Sequence, residues 1–297
     1  MDVIGIDRVA DPSLGWFPLN VKGALANTAD DISRNIEHAL TLDYVPFHTL
    51  AGTKKGAVAI VGSGPSLKTN WHELRNFKGD IIACNAACQF LLERGITPAY
   101  MFCFDADPLV LEFFTPHKDI TYLMASRCVP KAFEAIKGCK IVVWHAAGDD
   151  RIMEILERLQ RNEPIVAGGS AAVTRAMILA LPLGYKEFHV YGGDSSFAAG
   201  ETHIRQSTTV ERRMAVKCAD RVFEVAPWMT LQVEDLKKLV PLIKFCGARF
   251  HFHGDGLLQH VARELGFRTD YENRVQQFVR EVVRFWTLRS RILWLNL

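Results

Sequence analysis

The sequence has few features that would support disulfide bonding or a structural zinc site. Its 7 cysteines are an odd number, and no two of them form a Cys-x-x-Cys pair. Disulfide frameworks contain paired cysteines, and zinc sites of the finger type use closely spaced cysteine pairs. We therefore expect free thiols in a reducing compartment, which predicts a cytoplasmic protein.

Long hydrophobic runs are also missing. Residues 81–92 contain no charged side chain, but this stretch is too short for a membrane-spanning helix, which needs about 20 residues. Residues 1–8 are acidic and lack the apolar stretch and cleavage site of a secretory leader. The sequence therefore predicts neither a transmembrane segment nor export.

The charges show no excess of one sign that would indicate a polyanionic partner. There are 35 Lys plus Arg and 33 Asp plus Glu among 297 residues, a formal net charge of +2. No nucleic-acid partner is therefore expected. The hydrophobic share of 49% is enough for a full-sized core, and the length suits one large domain with terminal extensions.

Short β-rich runs alternate with helical stretches between residues 57 and 255. The runs lack strict alternation, as expected for parallel strands that are covered on both faces. Residues 171–181 are apolar nearly all round, which predicts a central buried helix. The pattern predicts an α/β, Rossmann-like fold in which a mostly parallel sheet has helices on both faces. The predicted strands are residues 57–61, 81–84, 100–104, 121–125, 140–145, 188–191 and 248–253.

Helical extensions flank this core. Residues 1–54 are predicted as an N-terminal accessory segment with an amphipathic helix at 28–42, residues 55–260 as the Rossmann-like domain, and residues 261–297 as a C-terminal helical extension. The last segment mixes apolar residues with arginines, a pattern that also suits an anionic membrane surface. We expect it to pack on the core or on a second copy of the chain, which makes it a candidate for homo-oligomer formation.

The first strand run is followed by a glycine-rich turn, Gly62-Ser63-Gly64-Pro65-Ser66. In an open parallel sheet, ligands bind beyond the carboxyl ends of the strands. The two glycines would let the backbone approach a ligand, and Ser66 could cap the next helix, whose N-terminus favours an anion. A tight turn that needs positive φ would explain the glycines equally well. The turn is neither a Walker loop nor a complete dinucleotide fingerprint.

Polar residues also follow the second and third strand runs. Asn85 carries an amide that can donate to and accept from a base or a ribose. Asp105 and Asp107 form an acidic pair that suits Mg²⁺, which takes one or two carboxylates and fills its other positions with water and phosphate oxygens. The alternative is a helix N-cap, because Asp107 precedes a proline at a helix start. Both interpretations of the pair stay open.

A second glycine turn, Gly168-Gly169-Ser170, begins the predicted buried helix and offers backbone N–H groups and a hydroxyl to another part of the ligand. Asp194 and Ser195 follow the strand run at 188–191. Asp194 is placed to bind a ribose or to orient a reacting group. These residues complete the predicted binding set.

Three histidines stand out. His203 lies in a loop beside the predicted cleft, where it could exchange a proton with substrate, or it could be an exposed loop histidine without a role. His251 and His253 share one face of a strand. A zinc pair would need another ligand, which the sequence does not identify, so packing or substrate contact is favoured.

Taken in order, these motifs resemble the 6-hydroxymethylpterin diphosphokinase MptE-like family over residues 55–260. The same domain occurs in the Maf flagellin glycosyltransferases. The resemblance implies a nucleotide-binding transferase that passes diphosphate from ATP to a hydroxymethyl acceptor, with Mg²⁺ on Asp105 and Asp107. The segments that carry the resemblance are 61–67, 84–86, 105–108, 168–170, 183–187 and 191–196.

The order of motifs is also similar to that of the Campylobacter-type bacterial sialyltransferases. This second resemblance implies a CMP-activated nonulosonic acid as donor, a glycan or small-molecule acceptor, and His203 as the base. Those enzymes work without a bound metal and lack the acidic pair, so Asp105 and Asp107 favour the diphosphokinase. A nucleotide-binding module without turnover is the third hypothesis. The nucleotide contacts that the resemblance implies are Gly62, Gly64, Ser66, Asn85, Ser170 and Asp194.

Overall fold

The computed structural model describes residues 3–6, 27–147, 151–204 and 212–270. The strands in chain order are β1 Val3–Ile6, β2 Val45–Pro46, β3 Ala57–Val61, β4 Asp80–Cys84, β5 Tyr100–Cys103, β6 Thr121–Ala125, β7 Lys140–Ala146, β8 Ile165–Val166, β9 Glu187–Tyr191, β10 Met214–Cys218, β11 Arg221–Val225, β12 Arg249–Phe252 and β13 Arg268–Thr269. They form two sheets. The fold class predicted from the sequence is confirmed, because the larger sheet is parallel throughout its described pairs.

Helices connect these strands. The α-helices are α1 Ala29–Leu40, α2 Leu67–Asn70, α3 Ala86–Leu92, α4 Pro130–Ala135, α5 Ile152–Arg158, α6 Ala172–Ala180, α7 Met229–Phe245 and α8 Leu257–Glu264, and short 3₁₀ helices span Phe47–Leu50, Trp71–Asn76 and Pro108–Phe113. Across the described residues, no helix is both long and apolar enough to cross a bilayer. Of the helical extension predicted over residues 261–297, the described part finishes α8 and adds the short strand β13. Residues 271–297, to which the prediction of oligomer contacts mainly applies, lie outside the described residues.

The order of strands in the large sheet is β13-β12-β9-β3-β4-β5-β6-β7-β2, with β8 paired to β7. From β3 the chain moves outward through β4 to β7, and it then returns to the other side of β3 to form β9. Val61 at the end of β3 pairs with Tyr191 at the end of β9. The connections after these two neighbouring strands therefore diverge, and such a switch point is where open parallel sheets bind ligands.

Helix α6 matches the predicted central helix. Eight of its nine residues, Val173–Ala180, are buried, and the helix packs on β3, β4 and β5 beneath α7. Its side chains are apolar on nearly all sides because the sheet covers one face and a second helix covers the other. The start of α6 is thereby fixed at the edge of the sheet where β3 and β4 end.

Helix α1 confirms the amphipathic helix predicted before the core. Its N-cap is Thr28, whose side chain accepts the N–H of Asp31 at 3.2 Å while the Asp31 carboxylate accepts the Thr28 N–H at 3.0 Å. The helix buries Ile32 and Ile36 against α5. The following strand, β2, joins the edge of the large sheet beside β7.

A small second sheet is not predicted from the sequence. Strand β1 pairs in parallel with β10, which pairs in antiparallel with β11. The residues of β1 and β10 lie more than 200 positions apart in the chain. No local pattern indicates such a pairing, because a parallel pair has no turn to mark it.

Candidate functional site

A cleft of about 500 Å³ opens at the switch point, beyond the carboxyl ends of β3, β4, β5 and β9. It is bounded on one side by the start of α6 and on another by the first turns of α7. The structure brings together nine of the residues predicted from the sequence: Gly62, Ser63, Gly64, Asn85, Asp105, Ser170, Asp194, Ser195 and His203.

The other predicted site residues lie elsewhere. Pro65 and Ser66 line a neighbouring cleft of about 870 Å³, of which Asp194 also forms part of the wall. Asp107, Gly168 and Gly169 do not line the switch-point cleft. The binding roles of all of these residues stay predictions.

The glycine-rich turn packs tightly against the turn that follows β9. The Gly62 N–H donates to the Tyr191 carbonyl and the Gly64 N–H to the Gly192 carbonyl, both at 2.8 Å. A Cβ at Gly64 would lie 2.4 Å from Asp194 Oδ2 and 2.6 Å from the Gly192 oxygen. Neither Gly62 nor Gly64 has positive φ. Glycine is needed here because two backbone turns touch, which the sequence did not indicate.

Asp194 holds this turn in place. The residue is 4% exposed, and its carboxylate accepts the Ser66 N–H at 2.8 Å and a Gln259 Nε2–H at 3.3 Å. Burial raises the pKa of Asp194, against the effect of these hydrogen bonds. The hydroxyl of the adjacent Ser195 donates to Gln232 Oε1 on α7 at 2.9 Å. At the wall of the cleft, both side chains thus make hydrogen bonds to other residues of the protein.

Asn85 has an unusual conformation between β4 and α3. Its backbone has φ 49° and ψ −123°, a combination that residues other than glycine rarely adopt. Its Oδ1 atom is buried and has no hydrogen-bond partner. The same sharp strand-to-helix turn displays the nucleophile of α/β-hydrolases at the top of their sheet. Strained residues and unpartnered polar atoms are typical of functional sites.

The acidic pair is divided between two roles. Asp105 is exposed at the cleft, and its Oδ1 accepts the Asp107 N–H at 3.1 Å. The Asp107 carboxylate accepts the Leu109 N–H at 2.9 Å and is the N-cap of the 3₁₀ helix that starts with Pro108. The N-cap interpretation therefore describes Asp107, while Asp105 alone faces the cleft.

The start of α6 already holds an anion that belongs to the protein. The Ser170 hydroxyl and the Thr174 hydroxyl donate to Asp235 Oδ2 at 2.6 and 2.8 Å, and the Ser170 N–H donates to the same oxygen. Gly168 and Gly169 have φ of 87° and 77°, and they lead the chain into this turn. Ser170, which was predicted to bind another part of the ligand, thus contacts a carboxylate of α7.

His203 lies at the mouth of the cleft and is partly buried. Its Nδ1 is 2.8 Å from the Thr202 hydroxyl, and its ring stacks with that of Trp228 at 6.1 Å between centroids. A hydrogen bond and a ring contact thus hold the imidazole in place at the cleft.

Sequence reasoning missed several residues that line the cleft. Arg127 and Phe104 follow β6 and β5, so a stricter search of every strand end would have found them. Trp228 and Gln232 come from the start of α7, far along the chain, and no sequence signal marks them. The guanidinium carbon of Arg127 lies 5.1 Å from the centre of the Phe104 ring.

A solved structure of a Maf glycosyltransferase from Magnetospirillum magneticum AMB-1 has a similar fold, with a TM-score of 0.57 and 17% sequence identity. The alignment covers 79% of this chain and 38% of that protein, so the chain spans well under half the length of its structural relative. A search of curated proteins finds no significant match. The model of one family, described as 6-hydroxymethylpterin diphosphokinase MptE-like, matches residues 31–200, which is more than half of the sequence. By this match, and in agreement with the resemblance of its motifs, the chain belongs to the 6-hydroxymethylpterin diphosphokinase MptE-like family.

Proposed function

We propose that the protein is a transferase that binds a phosphorylated nucleoside in the switch-point cleft and passes a group from it to an acceptor hydroxyl. The observation that carries this proposal is Asn85, which holds an unpartnered buried oxygen in a strained conformation at the point where the strand ends converge. That oxygen is suited to accept an N–H from the amino group of adenine or cytosine. Arg127 is placed to attract the phosphates.

The first candidate reaction is diphosphate transfer from ATP to a hydroxymethyl group, which the family supports. The acceptor oxygen forms a bond to the β-phosphorus, the bond from that phosphorus to the oxygen bridging the α-phosphate breaks, and AMP leaves. The acceptor proton passes to a base, for which His203 is the candidate in the cleft. Such transfers depend on positioning and charge stabilisation and need no covalent nucleophile.

Asp105 alone suits a Mg²⁺ site at the cleft better than Asp105 and Asp107 together. Mg²⁺ needs only one or two protein carboxylates when it also binds phosphate oxygens, and Asp105 is an exposed carboxylate at the cleft. Asp107 is less suited, because it does not line the cleft and one of its carboxylate oxygens caps a helix. A bound Mg²⁺ would neutralise phosphate charge, and Asp105 would be its protein ligand.

We expect Asp105→Asn to remove the Mg²⁺-dependent part of the thermal stabilisation by ATP, because the variant loses the charge that holds the ion. Asp107→Asn is the matched control. It removes the same charge but preserves the cap, since asparagine caps helices as well as aspartate does. The measurement is the melting temperature with ATP, CMP or a CMP-sugar, each with and without Mg²⁺. Equal loss in both variants would contradict a single-carboxylate site, and an undiminished response of Asp105→Asn would remove the metal role.

The second candidate reaction is glycosyl transfer from a CMP-activated nonulosonic acid. The position of His203 at the cleft, together with the fold likeness to a protein described as a glycosyltransferase, favours it. The acceptor oxygen would bond to the anomeric carbon as the bond from that carbon to the phosphate oxygen breaks. CMP would leave, and His203 would take the acceptor proton. The acceptor would be a glycan or a small molecule.

We expect His203→Gln to lower the turnover number about 100-fold and leave the affinity for the nucleotide unchanged, because a general base acts in the chemical step. The test compares product formation with binding measured by calorimetry for both donor classes. His72→Gln, at an exposed position away from the cleft, serves as the control. Retained turnover in His203→Gln would exclude this base. Nucleotide binding without product from either donor would favour the third hypothesis, a binding module.

A further inference from the structure

Three histidines meet on one face of the large sheet, away from the switch-point cleft. His189 on β9 pairs in register with His251 on β12, and His253 follows two positions later on the same face. One nitrogen from each of the three rings lies within 4.8 Å of the others. His189 is the third ligand that the sequence did not identify, because only the pairing of β9 with β12 brings it beside the other two.

Carboxylates contact one nitrogen of each ring. His253 Nδ1 lies 3.1 Å and His251 Nε2 3.3 Å from Asp270 Oδ1, and His189 Nε2 lies 3.4 Å from Glu187 Oε1. A histidine that binds a metal commonly donates its other N–H to a carboxylate, which fixes the tautomer and the ring orientation. A carboxylate oxygen lies beside each of the three rings, while His251 Nε2 and His253 Nδ1 make no hydrogen bond and remain unpartnered.

The remaining nitrogens of two rings point at each other. His189 Nδ1 and His253 Nε2 are 2.9 Å apart, and the opposite nitrogen of each ring has a carboxylate oxygen 3.4 Å and 3.1 Å away, respectively. At this distance one ring donates an N–H to the lone pair of the other, and the tautomers decide which ring is the donor. A metal ion that binds imidazole nitrogens at about 2.0–2.1 Å would take the place of that proton and accept a lone pair from each ring.

Packing holds the rings in place before any ion arrives. The Tyr191 ring stacks flat on His253, with centroids 4.0 Å apart and an interplanar angle of 4°. The Phe77 ring contacts His189 edge-on at 5.2 Å. Ordered ligands lose little freedom on binding, which favours affinity. Access comes from the second cleft of about 870 Å³, which His253 and Asp270 both line.

We propose that His189, His251 and His253 form a binding site for a divalent transition-metal ion, with Zn²⁺ as the best match. His189 would bind through Nδ1, His253 through Nε2, and His251 through one of its nitrogens. Imidazole ligands select Zn²⁺ and its neighbours over Mg²⁺, which prefers oxygen. Three protein ligands leave a fourth position for water or a substrate oxygen. The site is independent of the nucleotide proposed for the switch-point cleft.

The test uses the full chain, stripped of metal with a chelator and titrated with Co²⁺. We expect binding of one equivalent, visible absorption bands of cobalt with nitrogen ligands, and displacement by Zn²⁺. We also expect Zn²⁺ to raise the melting temperature, since it binds only the folded arrangement. Absence of Co²⁺ uptake by the unaltered chain overturns the proposal.

Variants assign the ion to the cluster. His251→Gln is expected to weaken Co²⁺ binding about 100-fold or more, whereas His48→Gln, at an exposed position in the 3₁₀ helix Phe47–Leu50, is expected to leave it unchanged. Equal uptake by both variants overturns the proposal. If His251→Gln fails to fold, Asp270→Asn replaces it, with roughly tenfold weaker binding and shifted bands expected from the loss of an outer contact. Unchanged binding and bands in Asp270→Asn also overturn it.

Discussion

Replacing Gly64 with alanine is expected to destabilise the protein by about 3 kcal/mol and to abolish binding of the nucleotide that we propose for the switch-point cleft. The new methyl group would lie 2.4 Å from Asp194 Oδ2 and 2.6 Å from the Gly192 carbonyl oxygen. Neither neighbour can move easily. Asp194 is buried and bound to Ser66, and Gly192 accepts a backbone hydrogen bond from Gly64 itself. The two turns must therefore separate, and the cleft that they form at the switch point loses its shape.

Chemical denaturation and a calorimetric titration with nucleotide measure the two effects. Gly95→Ala is the control, because Gly95 has φ of 71° and nothing within 4 Å of an added Cβ. That variant should lose only about 1 kcal/mol of stability, because alanine is strained at this positive φ, and it should bind nucleotide normally. If Gly64→Ala were no less stable than Gly95→Ala, the close contact between the turns would not be a constraint in solution.

Replacing Asn85 with glycine is expected to raise stability by about 1 kcal/mol while weakening nucleotide binding about tenfold or more. The backbone at Asn85 has φ 49° and ψ −123°, which costs about 1–3 kcal/mol for residues other than glycine. Glycine removes that cost, although part of the gain is offset by the greater freedom of the unfolded chain. The variant also removes Oδ1, the unpartnered acceptor at the cleft. Opposite changes in stability and affinity are typical of residues kept for function.

Urea unfolding and calorimetry distinguish strain from contact when Asn85→Ala is measured beside Asn85→Gly. Alanine removes the same oxygen but keeps the unfavourable conformation, so it should lose affinity without gaining stability. Were Asn85→Gly less stable than the natural chain, the residue would not be strained. Were its affinity unchanged, the base or ribose contact would have to be assigned to another side chain.

The middle of the parallel sheet was predictable because strands β3 to β7 are almost entirely buried and appear in the sequence as nearly continuous apolar runs. The residues of the cleft were predictable to the extent that they directly follow those runs, as Asn85 and Asp105 do. The short strands β2, β8 and β13, with two residues each, carry no such signal. Their existence depends on neighbours already being in place, which is a tertiary effect and not a local one.

The sequence predicted which residues form the candidate site better than it predicted which residues they contact. Ser170 was predicted to bind a ligand, and the partner that the structure gives it is Asp235, 65 positions further along the chain. His189 lies in strand β9, and nothing in the sequence around it indicates that it pairs with His251 on β12. The register between strands depends on how whole segments pack. The sequence therefore indicates which functional groups are present but not which residues they contact.

Asp235 already occupies the start of α6, because its Oδ2 accepts the N–H and the hydroxyl of Ser170 and the hydroxyl of Thr174. An external anion could use these donors only by displacing a carboxylate that belongs to the same chain. We therefore expect simple anions without other contacts to compete poorly at this helix end.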